Sequence, residues 1–302
     1  MPEKSTSHLM NALDKLPMLS EAVAWELLRK WSLSEVWRVT LRSGESIIAK
    51  CGTDSMAKEL EVYQSLLIPL NIRTPEIYAS YEEWKSCLIL MEDLGPVSVE
   101  KDPTLESYEK AARKLAEIRE WAQNQIQSGR LAPSLVEKNR QSKSQFIKDL
   151  HFILGHGSLS QEESETLHML LECFPPQLDR LYKEMPLTLS HNDYNGKNLM
   201  IMDNEVIPID WSNANLSPHL GDLYSLVREA NENGYTKSVI KDAFLQQNNT
   251  DSLEWQIQVG GLCWLIQGLT WVCKEGKQKV PGTEEWISPL IAEVQECLDR
   301  IE

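Results

Sequence analysis

The chain has 302 residues, 42% of them hydrophobic and 25% charged, the balance of a folded globular protein with room for one large domain or two modest ones. Thirty Lys and Arg against 45 Asp and Glu leave a formal net charge of −15, which repels phosphate backbones and argues against a nucleic-acid partner. The six cysteines (Cys51, Cys87, Cys173, Cys263, Cys273 and Cys297) include no C-x-x-C pair, so zinc and redox sites are not expected and a reducing cytoplasm is the simpler setting. The opening residues, Met-Pro-Glu-Lys-Ser-Thr-Ser, lack the apolar run of a signal peptide.

Taken in order, residues 21–31 (E-A-V-A-W-E-L-L-R-K-W) show helical periodicity, with Val23, Leu27 and Leu28 on one face. The period then changes to two. Residues 35–41 alternate as a half-buried strand, 42–45 form a turn, and 46–50 form a second strand, so the two make a hairpin. Residues 55–67 read as a helix with Leu60, Tyr63 and Leu67 on one side. Two more strands follow at 77–81 and 87–91, after which Gly95-Pro96 punctuates the chain and the pattern turns mainly helical. The polar, basic stretch 124–145 reads as a solvated loop and helix end, with a substrate lid as the other reading. Residues 255–273 are long and mostly apolar, but Gln256, Gln258 and Gln267 interrupt them, so a buried helix is expected there and no membrane span.

The segment Ser190-His191-Asn192-Asp193-Tyr194-Asn195-Gly196-Lys197-Asn198, followed by Ile209-Asp210-Trp211, carries the chemistry. An Asp, an Asn five residues on and a further Asp form the set that phosphoryl transfer requires: a carboxylate for the proton of the attacking hydroxyl, and oxygen donors for magnesium. Strands at 199–202 and 206–209, joined by a turn at 203–205, are expected to bring Asn198 and Asp210 side by side. Lys50 ends a strand in the manner of the V-A-I-K pattern, whose Lys pairs nucleotide phosphates. Glu59 on the following helix would orient it, with Glu61 as the other candidate.

The catalytic segment, with Asn192 where protein kinases carry Arg and I-D-W in place of D-F-G, resembles the aminoglycoside phosphotransferase and choline kinase-like superfamily. That resemblance spans roughly residues 33–230. It implies an α+β, two-lobed, protein-kinase-like fold: a small antiparallel-sheet lobe over residues 1–92 and a larger, mainly helical lobe over 93–302, with the hinge about 91–96. It implies an enzyme that uses ATP and Mg2+ to phosphorylate a hydroxyl of a small-molecule acceptor such as an aminoglycoside, amino alcohol or sugar. Asp193 would be the base, Asn198 and Asp210 the metal ligands, and Lys50 with Glu59 the phosphate grip. Ser34 would touch the nucleotide from the glycine-free first hairpin, and Glu92 and Leu94 would meet the adenine through hinge main-chain atoms. His191 and Asp222 would support the catalytic loop. Lys197 is read equally as a phosphate contact or a solvated side chain. Trp255, Trp264, Trp271 and Trp286 are read as core packing, with an aromatic wall for an amine as the other reading. Glu35 beside the phosphates would be unwelcome, which gives the alternative of a catalytically idle kinase-like structural protein, for example of spore-coat type. The missing D-F-G and A-P-E segments argue against a protein kinase.

Overall fold

The computed structural model describes residues 15–157, 159–245 and 252–301. The amino-terminal stretch read above for a signal sequence lies outside them. The chain forms two compact units. One takes the described residues up to Val97 together with Met200–Asn213, and the other takes Ser98–Leu199 with the residues from Ala214 onward.

In the first unit, β1 (Ala22–Lys30), β2 (Ser34–Leu41), β3 (Ser46–Thr53), β4 (Ile77–Glu83) and β5 (Ser86–Glu92) build an antiparallel sheet in the order β1-β2-β3-β5-β4. Between β3 and β4 runs the helical stretch α1 (residues 54–70), which passes through 3-10, α and π turns. The alternation in β2 buries Glu35, Trp37 and Val39 on one face. Trp37 and Val39 pack with Ile47, Ala49, Leu88 and Leu90, and Leu16 and Leu19 close that core. A second apolar cluster joins Leu60 of α1 to Cys87, Ile89 and Met91 of β5. Strand β5 therefore serves both clusters. Every residue from Ser86 to Met91 is buried, and its sequence is a continuous apolar run with no alternation. Each fully buried aliphatic side chain of this kind contributes about 1.5–3 kcal/mol.

The stretch 21–31 departs from its helical reading: it is β1, an edge strand. Its ladder pairs Trp25 with Val39 and Leu27 with Trp37, and the register shifts between Ala22 and Ala24 and again between Leu27 and Arg29. Those shifts erase the period of two that would have announced a strand. The three residues that suggested a helical face, Val23, Leu27 and Leu28, are all exposed. What fixes the segment is the ladder, together with the edge-on packing of Trp25 on Trp37 at 6.2 Å. These outweigh helix propensities worth tenths of a kcal/mol per residue.

Strands β6 (Thr188–Ser190), β7 (Leu199–Met202), β8 (Glu205–Pro208) and β9 (Asn215–Ser217) form two small ribbons, β7 with β8 and β6 with β9. The turn between β7 and β8 holds Asp203 and Asn204 at φ of 51° and 68°, the left-handed pair of a type I′ hairpin, which Asp and Asn tolerate best among non-glycine residues.

The second unit is otherwise helical: α2 (Leu105–Gln127), α3 (Pro133–Asn139), α4 (Lys143–Leu154), α5 (Gln161–Glu184), α6 (Gly221–Glu232), α7 (Lys237–Leu245), α8 (Leu253–Trp271) and α9 (Ile287–Ile301). Helix α5 opens with a capping box, Ser160 with Glu163. The polar stretch 124–145 comprises the end of α2, helix α3 and the start of α4, with short connections between them. Helix α8 is the apolar segment noted above. It is buried around most of its circumference, and Leu262, Leu265, Ile266 and Leu269 pack with Phe146 of α4, Phe174 of α5 and Val294 of α9. Among the described residues no helix is long and apolar enough to cross a membrane. Gly260 lets α8 approach the start of α6, since a Cβ there would lie 2.6 Å from the Leu220 backbone. All six cysteines are free thiols.

Candidate functional site

In the first unit the chemistry gathers around Lys50. Strand β3 carries it inward, so that its side chain is almost wholly buried. Its Nζ lies 2.6 Å from Glu59 Oε2 and 2.8 Å from Asp210 Oδ1. Burial opposes the charged ammonium, but Asp210 and Glu59 outweigh that cost and hold the Lys50 pKa above its ordinary value. Glu59 is buried and also accepts the backbone N–H of Trp211. Glu61 is exposed on another side of α1, as the helix period requires. Asp210 sits just beyond β8 at a left-handed φ of 63°, and its Oδ1 also accepts the Ser212 hydroxyl at 3.2 Å. Trp211, fully buried, anchors this corner by donating its indole N–H to Pro208 O at 3.0 Å.

The first hairpin places Ser34 at the start of β2, half-buried, with its carbonyl accepting the Trp31 N–H at 2.8 Å. The neighbouring Glu35 is buried in the sheet, where Lys30 Nζ meets its Oε1 at 2.6 Å and the Trp37 indole donates to its Oε2 at 3.4 Å. At the end of β5 the Glu92 N–H is already committed to Glu76 O at 2.8 Å. The Glu92 carboxylate accepts both Nη atoms of Arg73, at 2.9 and 3.0 Å, and the Glu76 N–H. Arg73 is the main reason that its pKa lies below the usual range. Next to it, Asp93 accepts from Arg38, Ser46 Oγ and the Gly95 N–H. Burial would raise the Asp93 pKa, and those donors, Arg38 foremost, hold it low instead. Leu94 between them is buried. Glu92 and Asp93, within the stretch expected to be a hinge, are thus each held by an arginine, Arg73 and Arg38, that no sequence motif marks.

In the second unit β6 delivers the chain into the loop formed by residues 191–198. Asp222, at the first turn of α6, accepts the backbone N–H groups of His191 and Asn192, each at 2.7 Å. Burial pushes the Asp222 carboxyl up, while His191, Arg119 and the two N–H donors pull against that. Asn192 adopts a left-handed φ of 66°, a conformation Asn accepts readily. His191 is buried, and its Nδ1 accepts the Asp193 N–H at 3.3 Å. Tyr194 points into the core and donates to Ala111 O.

Asp193 itself keeps partial exposure, and every contact on its carboxylate comes from the same loop. Asn195 Nδ2 reaches Oδ1 at 2.6 Å, Asn198 Nδ2 reaches Oδ2 at 2.8 Å, and Lys197 Nζ stands 3.4 Å from Oδ2. Asn198 Nδ2 also donates to the Asp193 carbonyl, so the amide oxygen of Asn198 is the atom left to serve as a ligand. That oxygen and the Asp210 carboxylate are hard donors of the kind magnesium takes, and they fit that ion in chemistry.

Two supports escaped the sequence reading. Glu229, two turns after Asp222 on α6, accepts the Gly196 N–H at 2.7 Å and the Tyr108 hydroxyl at 3.2 Å. Gly196 has no room for a side chain, since a Cβ would meet Glu229 Oε1 at 2.4 Å and Glu100 N at 2.9 Å. Arg119, buried in α2, donates to Pro218 O and Ser190 Oγ and ties the strand before the loop to the segment before α6. The seven-residue spacing of Asp222 and Glu229 is the one signal that could have paired them, because it puts both on one face of a helix.

The four C-terminal tryptophans do not converge. Trp255 lies against Arg180, Trp264 against Arg228 and Tyr224, and Trp271 stacks on Trp286.

Residues 26–252 match the model of the phosphotransferase enzyme family, APH. No curated protein matches the sequence significantly. Solved structures of similar fold include a mutant of aminoglycoside 2′-phosphotransferase-IIIa in complex with GDP, at a TM-score of 0.72 and 14% identity over 98% of each chain. Another is the gentamicin complex of APH(2″)-IIa, at a TM-score of 0.69 and 15% identity over 97% of each chain. A choline/ethanolamine kinase family protein from Mesorhizobium loti has a TM-score of 0.68 and 13% identity, over 97% of this chain and 94% of that one. These likenesses establish the two-part kinase-like fold, a small antiparallel sheet and a larger helical part.

Proposed function

Since the chain belongs to the phosphotransferase enzyme family, we propose that it transfers the γ-phosphoryl group of ATP to a hydroxyl of a small molecule, with magnesium, and that Asp193 is the base. The observation that carries this reading is the Asp193 carboxylate, partly exposed and oriented on both oxygens by Asn195 and Asn198. The loop around it has backbone N–H groups fixed by Asp222 and Glu229. As the acceptor oxygen bonds to phosphorus and the bond to the departing ADP oxygen breaks, Asp193 takes the acceptor's proton. Lys50, held charged between two carboxylates, binds nucleotide phosphates, and Glu59 orients it. Asn198 and Asp210, at the two ends of the β7–β8 hairpin, supply oxygen ligands for magnesium, which neutralises phosphate charge when bound. Ser34 meets the nucleotide through its hydroxyl or its backbone N–H, and Glu92 and Leu94 through main-chain groups. At Glu92 the carbonyl serves, because its N–H is already used. His191 and Asp222 hold the loop.

Aminoglycosides, amino alcohols and sugars are the acceptor classes, a reading supported by the gentamicin complex among the similar folds. The idle-protein reading rests on the glycine-free first hairpin with Glu35, and the Glu35 carboxylate is met by Lys30. The test is transfer from ATP–magnesium to a panel of these acceptors, followed by ADP release. Asp193→Asn should lower the rate about 10²–10⁴-fold while nucleotide still binds by calorimetry. A chain that binds no nucleotide, or an Asp193→Asn variant of undiminished rate, sinks the proposal.

A further inference from the structure

Lys197 has no part in the scheme above, yet the loop is built so that it reaches the base. It is the middle residue of a single 3-10 turn, Gly196–Asn198. The backbone on either side is fixed. Glu229 accepts the Gly196 N–H at 2.7 Å, Glu100 N donates to Gly196 O at 3.1 Å, and Asn198 N donates to Asn195 O at 2.9 Å. From that stem the side chain turns back along the loop, and its Nζ stands 3.4 Å from Asp193 Oδ2. Among the described residues no other lysine or arginine forms an ion pair with that carboxylate.

Two features make this contact easy to exchange. Asn198 Nδ2 already donates to Oδ2 at 2.8 Å, so that oxygen does not depend on the ammonium. At 3.4 Å the pair is also longer than the roughly 2.7–2.9 Å of a full charge-assisted hydrogen bond, and the lysine side chain is 35% exposed, where an ion pair holds weakly. A more highly charged partner close by would take the ammonium from Asp193.

Phosphoryl transfer brings such a partner. With Asp193 as the base, the acceptor oxygen lies about 2.6–3.2 Å from its carboxylate, and phosphorus bonds to that oxygen as transfer proceeds. The equatorial phosphoryl oxygens, which carry negative charge, therefore arrive within a few ångström of an anionic carboxylate. In a site of reduced dielectric that approach is costly unless a cation stands beside both.

We propose, on the reading that the chain is a phosphotransferase with Asp193 as base, that Lys197 is a second catalytic residue. Its ammonium exchanges Asp193 Oδ2 for the γ-phosphoryl group of the bound nucleotide and stays with that group through transfer. Lys197 gives up no proton. The bond from the acceptor oxygen to phosphorus forms, the bond from phosphorus to the ADP oxygen breaks, and Asp193 takes the acceptor's proton. The move of the ammonium leaves a lone pair of Oδ2 open for that proton.

The experiment is calorimetric titration of the full chain, with magnesium, by ADP and by the β,γ-imido analogue of ATP, which carries the γ-phosphoryl group without transferring it. Wild type is compared with Lys197→Met, which keeps the apolar stem and removes the charge, and with Lys197→Gln, which keeps a polar end. ADP should bind both variants within about twofold of wild type, and the imido analogue about tenfold more weakly than it binds wild type. Circular dichroism and melting should match wild type, since the ion pair given up is a weak one. The proposal is overturned if both variants keep the wild-type ratio of the two affinities, or if they lose ADP and the analogue alike. Either result leaves the phosphotransferase reading standing, because wild type still binds both nucleotides. A wild-type chain that binds neither removes that reading and this proposal together.

Discussion

Lys50→Met offers the sharpest test of the buried cluster in the first unit. The substitution keeps an apolar stem of similar length and removes only the ammonium, so packing changes little. Left behind are Glu59, 2% exposed, and Asp210, with the cation that stood 2.6 and 2.8 Å from their oxygens gone. Breaking a buried ionic set by removing one member costs about 3–5 kcal/mol, because the remaining charge is neither solvated nor paired. For domains of 150–250 residues each kcal/mol moves the melting temperature by about 2–4 °C, so a fall of roughly 6–20 °C is expected. Differential scanning calorimetry at neutral pH measures it. The double variant Lys50→Met/Glu59→Gln neutralises one stranded carboxylate and should recover a substantial part of the loss. A fall of under about 2 °C for the single variant, or no recovery in the double, would refute the claim that these three groups are energetically one unit.

Three further outcomes follow from particular contacts. In Gly196→Ala the new methyl meets Glu229 and the Glu100 backbone, so a loss of about 1–3 kcal/mol by urea unfolding and a lower transfer rate are expected. Adding Glu229→Ala should not restore stability, because the Glu100 contact is with main chain. His219, fully buried with Nδ1 accepting the Gly221 N–H, has its pKa pulled down by burial to about 3 from an ordinary 6.5. The unfolded chain therefore binds a proton that the folded one refuses, and the stability tied to this group, present above pH 6.5, drains away as pH falls toward 3. It should account for about 2 kcal/mol lost between pH 7 and pH 5, and His219→Asn should flatten that part of the urea-derived profile relative to wild type. Arg73→Ala removes a half-exposed bidentate pair worth about 1 kcal/mol or less, so melting should barely move. Nucleotide affinity by calorimetry should fall as the hinge loses its clamp.

Much of the fold was legible because its elements obey simple periods. The alternation of β2, the continuous apolar run of β5 and the Asp-Asn turn between β7 and β8 each carry their own signature. Strand β1 carried none, because two register shifts scrambled its period and Val23, Leu27 and Leu28 face solvent. The candidate site divides the same way. Lys50, Asp193, Asn198 and Asp210 stand in short motifs whose residue types state a chemistry. Glu229, Arg119, Arg38 and Arg73 act across 33, 71, 55 and 19 residues of chain, and apart from the helical spacing of Glu229 from Asp222 no local pattern marks them. Glu35 shows the reverse failure. Its place in the sequence suggested a charge near phosphates, whereas the pleat of β2 turned it into the sheet, where a lysine meets it.

The first unit is discontinuous in the chain, and that has a consequence for how the protein is made. Its sheet is translated by Val97, but Asp210 and the β8 strand leading to it belong to a piece ending at Asn213, 116 residues later. At ~5–20 residues per second a ribosome needs roughly 6–23 s to cover that distance. Throughout that interval Lys50 has Glu59 but not Asp210, and Glu59 lacks the Trp211 backbone N–H that it accepts in the folded chain. The nascent sheet is thus held in an incomplete state for seconds on the ribosome, the period in which holding by a chaperone, or a pause in translation, would bear most strongly on the yield of folded protein.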